Sequence, residues 1–297
     1  MEKEFENYLL DKNKTIGTIN TYLINIRCYK RWLKDTTGSE FKKLYRENIQ
    51  DYISYLRNIK RNKQGLPLKS QSINTHISSL IKYNKFLVDT NRQTDMVVSD
   101  NDCLKVQKTG INPCKVSQEE IQKFRQDILE AESRSLTNWE TKRNFCIVTL
   151  LQYCGIRISE CIAIKLDDIS IDSGELIIRN GKGGKQRILY LNDRCISAIK
   201  GYIEVRPETK NEYLFITRES INKNKPINRV SVNMIFSKFS NTITPHQERH
   251  AWATHGLESG TYSINEVAYL AGHKSLTTTQ IYLNPDVVKM KEKANLQ

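Results

Sequence analysis

The chain has 297 residues, 38% hydrophobic and 27% charged, a globular balance with room for two domains. Lysine and arginine number 46 against 33 acidic residues, a formal charge of +13 that favours a polyanionic partner. Seven scattered cysteines, never spaced C-x-x-C, exclude a zinc ribbon and a disulfide framework, and the apolar stretch 145–156, broken by Thr149 and Gln152, is too short to span a bilayer.

Helical stripes fill the first third. Phe5, Tyr8 and Leu9 open one; Ile19, Tyr22, Leu23, Ile26, Tyr29, Trp32 and Leu33 recur at three- and four-residue steps in a second. Ile49, Tyr52, Ile53 and Leu56 make a third. Ile73, Ile77, Leu80, Ile81 and Phe86 make a fourth, after a basic turn at 61–67. These stripes predict a small helical bundle over residues 1–95. The same segment holds 18 Lys/Arg against 10 Asp/Glu, more than half of the whole chain's surplus. Lys30, Arg31, Lys42, Lys43, Arg61, Lys63 and Lys69 are its candidates for gripping phosphates, each weighed against an ordinary solvated surface. Residues 96–116, with Gly110, Pro113 and little periodicity, read as a linker.

A second domain is expected over 117–297. Ser117 caps its first helix, with Glu119 and Glu120 in the opening turn. A helix over 138–153 ends near Gly155, and another follows Arg157 with Ser159 as its cap. From Leu166 the texture changes to alternation and glycine turns, predicting two or three antiparallel strands with Lys182 in a turn. Helices resume at 192–206, 229–239, 246–258, 264–271 and 277–283, before a charged tail at 286–297. The fold class is therefore mainly α with a small antiparallel β-sheet in the C-terminal domain. The start, MEKEFENYLL, lacks the pattern of a secretory signal, so a cytoplasmic location with reduced thiols is expected.

Arg157, Lys182, His246, Arg249, His273 and Tyr282 compose one chemistry: metal-free attack on a phosphodiester. Two arginines suit the non-bridging oxygens, because a guanidinium is always charged and offers a planar fork. A tyrosine becomes a nucleophile when a base takes its proton or cations lower its pKa. A lysine on a turn can protonate a leaving oxygen. The GKGGK stretch is not a P-loop, since G-x-x-x-x-G-K-[ST] is absent and a strand follows. His246 and His250 stand four apart, as zinc pairs do, but HQERH is not H-E-x-x-H and no metal is expected.

In order, GIRISE, NGKGGKQR, TPHQERHAWATHGLESG and LAGHKSLTTTQIYLNP resemble the tyrosine site-specific recombinases, the group of phage integrases and Xer-type resolvases. The likeness is close over 117–283 and looser over 1–92, which is similar to the helical, SAM-like core-binding domain of that family. It implies a two-domain architecture, a helical core-binding domain plus a mixed α/β catalytic domain. It implies that Arg157 and Arg249 clamp the scissile phosphate while Tyr282 attacks it, leaving a 3′-phosphotyrosyl link. By the same resemblance Lys182 protonates the 5′-oxygen, His246 is the general base, His273 hydrogen-bonds the phosphate and Glu160 supports the arrangement. Neither cofactor, metal nor ATP is implied. The implied partner is double-stranded DNA with inverted core-type sites, gripped in a basic clamp by a homotetramer that is a monomer or weak dimer when free, with no membrane involved. A bacterial, nucleoid-associated enzyme is the expectation. So is a tail over 286–297 passed to a neighbouring protomer. Type IB topoisomerase-like relaxation and a non-catalytic DNA-binding regulator are the competing readings. One departure stands out: where the family carries an apolar residue before the second arginine, this chain has Glu248. Turned inward it would quench Arg249; turned outward it is harmless, and the outward placement is expected.

Overall fold

A computed structural model describes residues 1–106, 116–135, 137–179, 186–273 and 277–280. Lys182, Tyr282, the tail at 286–297 and most of the linker's second half lie outside the described residues. The chain divides into two compact units, Met1–Lys108 and Thr109–Gln297.

The first unit holds α1 (Glu2–Asp11), α2 (Ile16–Thr37), α3 (Arg46–Asn58) and α4 (Ser70–Asp89). Thr15 caps α2 by accepting from the Thr18 N–H, and Gly38 ends it in the left-handed region. The predicted stripes meet inside: Phe5, Leu9, Ile19, Ile26, Tyr29, Ile49, Tyr52, Ile77, Tyr83 and Phe86 are all buried. Tyr29 and Tyr52 pack edge to face, as do Phe5 and Tyr83. The first part of the expected linker belongs to this unit. The Asn84 amide donates to the Asp95 carbonyl at 3.1 Å and accepts from the Val97 N–H at 2.7 Å. Asn74 does the same with both backbone groups of Leu104. Val98 is 1% exposed. Side-chain amides thus hold a segment that has no periodicity to reveal it.

In the second unit, α6 (Trp139–Cys154) is the hub. It buries Cys146, Ile147, Val148, Leu150, Leu151 and Cys154, and packs against α5 (Gln118–Ser133), α8 (Asp193–Ile203) and α10 (Pro245–Glu258). Ser117 caps α5, as predicted, and Asn138, the expected first residue of α6, is its N-cap. A short helix α7 (Ile158–Ile162) leads to strands β1 (Ile169–Ser170), β2 (Glu175–Ile178) and β3 (Arg187–Tyr190). They form one antiparallel sheet in the order β1-β2-β3, with Leu176 opposite Leu189 and Ile178 opposite Arg187. After α8 an irregular stretch crosses the core, where Leu214, Phe215 and Ile216 are fully buried. The Arg206 guanidinium satisfies the carbonyls of Asn211, Tyr213 and Leu214 there. Helices α9 (Arg229–Phe239), α10, α11 (Ile264–Ala271) and α12 (Thr277–Gln280) complete the unit.

Cys146, Cys154, Cys161 and Cys195 are buried free thiols, and burial pushes the thiol pKa of Cys146 and Cys161 up. No described helix is long and apolar enough to cross a membrane.

Candidate active site

Gly155 ends α6 at φ +57, and a Cβ there would lie 2.1 Å from the Trp252 ring, so only glycine lets α10 approach this turn. Two residues later the backbone is extended at Arg157, the N-cap of α7. The Glu160 carboxylate accepts the Arg157 N–H at 2.9 Å and its Nη1 at 2.8 Å. Ser159, the expected cap, stands inside the helix instead. The carboxylate, on the third residue of α7, reaches back to the N–H of the N-cap residue, the N3 half of a capping box.

Helix α10 starts with Thr244 accepting from the Gln247 N–H and Pro245 in its first turn. This start places His246, Arg249 and His250 on successive turns of one side. Arg249 is 4% exposed. Its Nη1 donates to the Gly155 carbonyl at 2.5 Å, and its Nη2 to the Ala271 carbonyl at 2.8 Å. The same Nη2 lies 2.7 Å from His273 Nε2, so that ring nitrogen accepts. Thr279 Oγ1 meets the other ring nitrogen at 2.8 Å and fixes the imidazole plane. Arg157 donates from Nη2 to the Gly272 carbonyl at 2.6 Å.

A cavity of about 910 Å³ opens on this cluster, lined by Arg157, Arg229, His246, Arg249, His250 and His273 among others. Burial, then the charges of Arg249, Arg157 and Arg187, lower the His273 pKa to about 4. Burial, then His246 and Arg249, do the same to His250, also to about 4. Burial followed by Arg249 and Arg229 lowers His246. His246 and His250 share an Nε2–Nε2 contact of 2.8 Å, which a neutral pair satisfies with one donor and one acceptor. Neutral imidazoles beside permanent guanidinium charges make a site for an anion that also needs a proton acceptor. Among the described residues no three His, Cys, Asp or Glu side chains gather as a metal site.

Of the residues predicted for catalysis, the fold brings Arg157, His246, Arg249 and His273 to one cavity, with Glu160 bonded to Arg157 just behind it. Lys182 and Tyr282 lie outside the described residues. Three contributors went unread in the sequence. Arg187 holds Glu160 from β3, Thr279 orients His273, and Arg229 lines the cavity from the start of α9. Arg187 had a signal: it takes an inward position in a strand whose neighbours alternate, as Leu189 does. Arg229 follows Asn228, which caps α9.

Glu248 corrects an expectation. Its side chain is fully buried, not outward. It does not quench Arg249, because Arg125 of α5 donates to Glu248 Oε2 at 2.7 Å. Burial raises its pKa against the pull of Arg125. The rotation of about 100° between consecutive helical residues sends it to the α5 side, where the inward face needed a partner and found a guanidinium.

In the first unit Arg31, Lys42, Lys43, Arg61, Lys63 and Lys69 are exposed. Lys30 differs: its ammonium sits over the Phe41 and Tyr83 rings, 5.0 and 5.2 Å from their centres, and burial lowers its pKa. Arg61 spends donors on the carbonyls of Asn58 and Lys60.

Comparisons with known proteins agree with this architecture. A family model described as "Phage integrase family" matches residues 117–288, and one described as "Phage integrase, N-terminal SAM-like domain" matches residues 3–91. The chain is 43% identical to a protein named TnP I resolvase from Bacillus thuringiensis, over 99% of this chain and 98% of that one. It is 30% identical to tyrosine recombinase XerC of Leptospira interrogans, over 98% and 90%. Among solved structures it resembles XerH recombinase in a post-cleavage complex with palindromic difH, with TM-score 0.69 at 19% identity over 95% and 80% of the two chains. A lambda integrase dimer bound to a COC′ core site gives TM-score 0.64 at 19% identity over 95% and 76%. These two likenesses establish the fold, and the sequence matches carry the lineage: the chain belongs to the phage integrase family of tyrosine recombinases.

Proposed function

We propose that this protein is a site-specific DNA recombinase that cuts and rejoins DNA through a 3′-phosphotyrosyl intermediate. The observation that carries this is the convergence of Arg157, Arg249, His246 and His273 on one cavity. Arg157 and Arg249 hold the non-bridging oxygens of the scissile phosphate, and His273 donates a hydrogen bond from Nε2 once the phosphate takes over Arg249 Nη2, in the tautomer opposite to that of the free site. His246 takes the phenolic proton as Tyr282 Oη bonds to phosphorus. The P–O5′ bond breaks, and Lys182 supplies the proton to the leaving oxygen. The phosphate's charge grows in the transition state, where each such donor is worth about 3–4 kcal/mol. Energy of the cut bond stays in the phosphotyrosyl ester, so religation requires neither ATP nor metal.

The DNA partner is supported by the basic charge and by the DNA complexes named for the structural relatives. The exposed basic residues Arg31, Lys42, Lys43, Arg61, Lys63 and Lys69 would grip the backbone rather than read bases. Lys30 contributes less, being held on aromatic rings. The resolvase name of the Bacillus thuringiensis relative favours recombination between paired sites. The reaction would run in the cytoplasm, with four protomers on two inverted-repeat cores.

A nicked duplex carrying the recombination site flanking this protein's own gene tests the proposal. The chain should form a covalent adduct in EDTA without nucleotide, and Tyr282→Phe should bind the DNA but form none. An adduct in Tyr282→Phe, or none in the parent, refutes it. Relaxation of a plasmid lacking any site would favour the topoisomerase activity instead.

A further inference from the structure

The last turn of α11 leaves carbonyls with no partner inside the helix. Three consecutive ones are each taken by a different arginine. Arg187 Nε donates to Leu270 O at 2.9 Å, Arg249 Nη2 to Ala271 O at 2.8 Å and Arg157 Nη2 to Gly272 O at 2.6 Å. Arg157 and Arg249 line the cavity; Arg187 does not. Its side chain is 5% exposed, and both its Nη atoms grip Glu160, at 3.1 and 2.9 Å. Glu160 in turn holds Arg157 at 2.8 Å.

We infer that Arg187 is a positioning residue for the phosphate clamp, setting Arg157 and Arg249 through Glu160 and the end of α11. It rests on the proposal that those two arginines hold the scissile phosphate. A guanidinium is required for the task. One edge makes the bidentate pair with the carboxylate while Nε reaches a carbonyl on another element, which a single ammonium cannot do. The space is already full: a Cβ at Gly272 would lie 2.7 Å from Arg187 Nη1 and 3.0 Å from Arg157 Nη1.

Charge matters as much as geometry. One carboxylate is shared by two guanidiniums, so Arg157 keeps much of its positive field for the phosphate. Without Arg187, Glu160 belongs to Arg157 alone, drawing it back and neutralising it. That loss falls on the chemical step, where phosphate charge grows, and much less on overall DNA affinity, which many backbone contacts share.

The test is single-turnover adduct formation by the full chain on a nicked duplex, with either the ordinary phosphodiester or an uncharged methylphosphonate at the scissile position. Arg187→Met should cleave the phosphodiester about 100-fold more slowly, the scale of a misplaced clamp, while DNA affinity stays within about threefold. The deficit should shrink on the methylphosphonate, which has less charge to hold. Arg187→Lys should resemble Arg187→Met, and serves in its place if that variant does not fold. Adding Glu160→Gln to Arg187→Met should recover part of the rate by freeing Arg157. Cleavage at the parent rate, or equal slowing on both substrates with no recovery in the double variant, overturns the proposal. Absence of any Tyr282-dependent adduct in the parent chain would instead refute the recombinase reading itself.

Discussion

The fully buried Glu248 pairs with the partly exposed Arg125, 2.7 Å away, and ties α10 to α5 at the turn carrying His246 and Arg249. One oxygen of the pair, Glu248 Oε1, and one nitrogen, Arg125 Nε, are buried with no hydrogen-bond partner among the described residues. The pair is therefore held by position more than by satisfied bonding, and its two halves are unequal. Arg125→Met strands a buried charge and should cost about 3–5 kcal/mol of stability by urea unfolding.

Replacement of the acid should behave oppositely. Burial raises the Glu248 pKa above its ordinary 4.5, so the folded chain binds that proton more tightly than the unfolded chain. Its contribution is most favourable at pH below 4.5 and is lost as pH rises through the folded value. Glu248→Gln should accordingly raise the melting temperature at pH 7 and lose that advantage at pH 4, checked by circular dichroism melts at both.

The histidines predict a slope of the other sign. His250 and His273 have folded pKa values near 4, against an ordinary 6.5. Between those values the unfolded chain takes up protons that the folded chain refuses, so stability falls as pH drops from 6.5 to 4. Melting temperatures measured across that window should decline, and His273→Asn should flatten the decline. An unchanged slope in that variant would place the proton uptake elsewhere.

Gly155→Ala is expected to be severe. The new methyl would stand 2.1 Å from the Trp252 ring, at a backbone φ of +57 that disfavours any side chain. Overpacking and left-handed strain together should cost about 3 kcal/mol or more. Adding Trp252→Leu should return part of that by removing the clash and leaving the strain, as judged by urea midpoints.

The parts most legible in the sequence were those where local chemistry and periodicity agree. Asn138 and Gly155 bracket α6 because a cap and a left-handed stop are both local signals. The stripes of α2 and α4 are legible for the same reason. Arg157, His246, Arg249 and His273 were found through motif order, and the fold gathers them. What escaped depends on long-range partners. Asn74 and Asn84 tie down a segment without periodicity, and Arg187 meets Glu160 across 27 positions of chain. The side of α10 that Glu248 takes was likewise unreadable, because it is decided by Arg125, more than a hundred residues away.

In the proposed reaction Tyr282 attacks the phosphate that Arg157 and Arg249 hold. The most direct measurement is peptide mass spectrometry of the covalent adduct after nuclease trimming. A 3′-linked nucleotide is expected on the tryptic peptide 275–289, localised to Tyr282. A nucleotide on any other residue, or one linked through its 5′-phosphate, would contradict it.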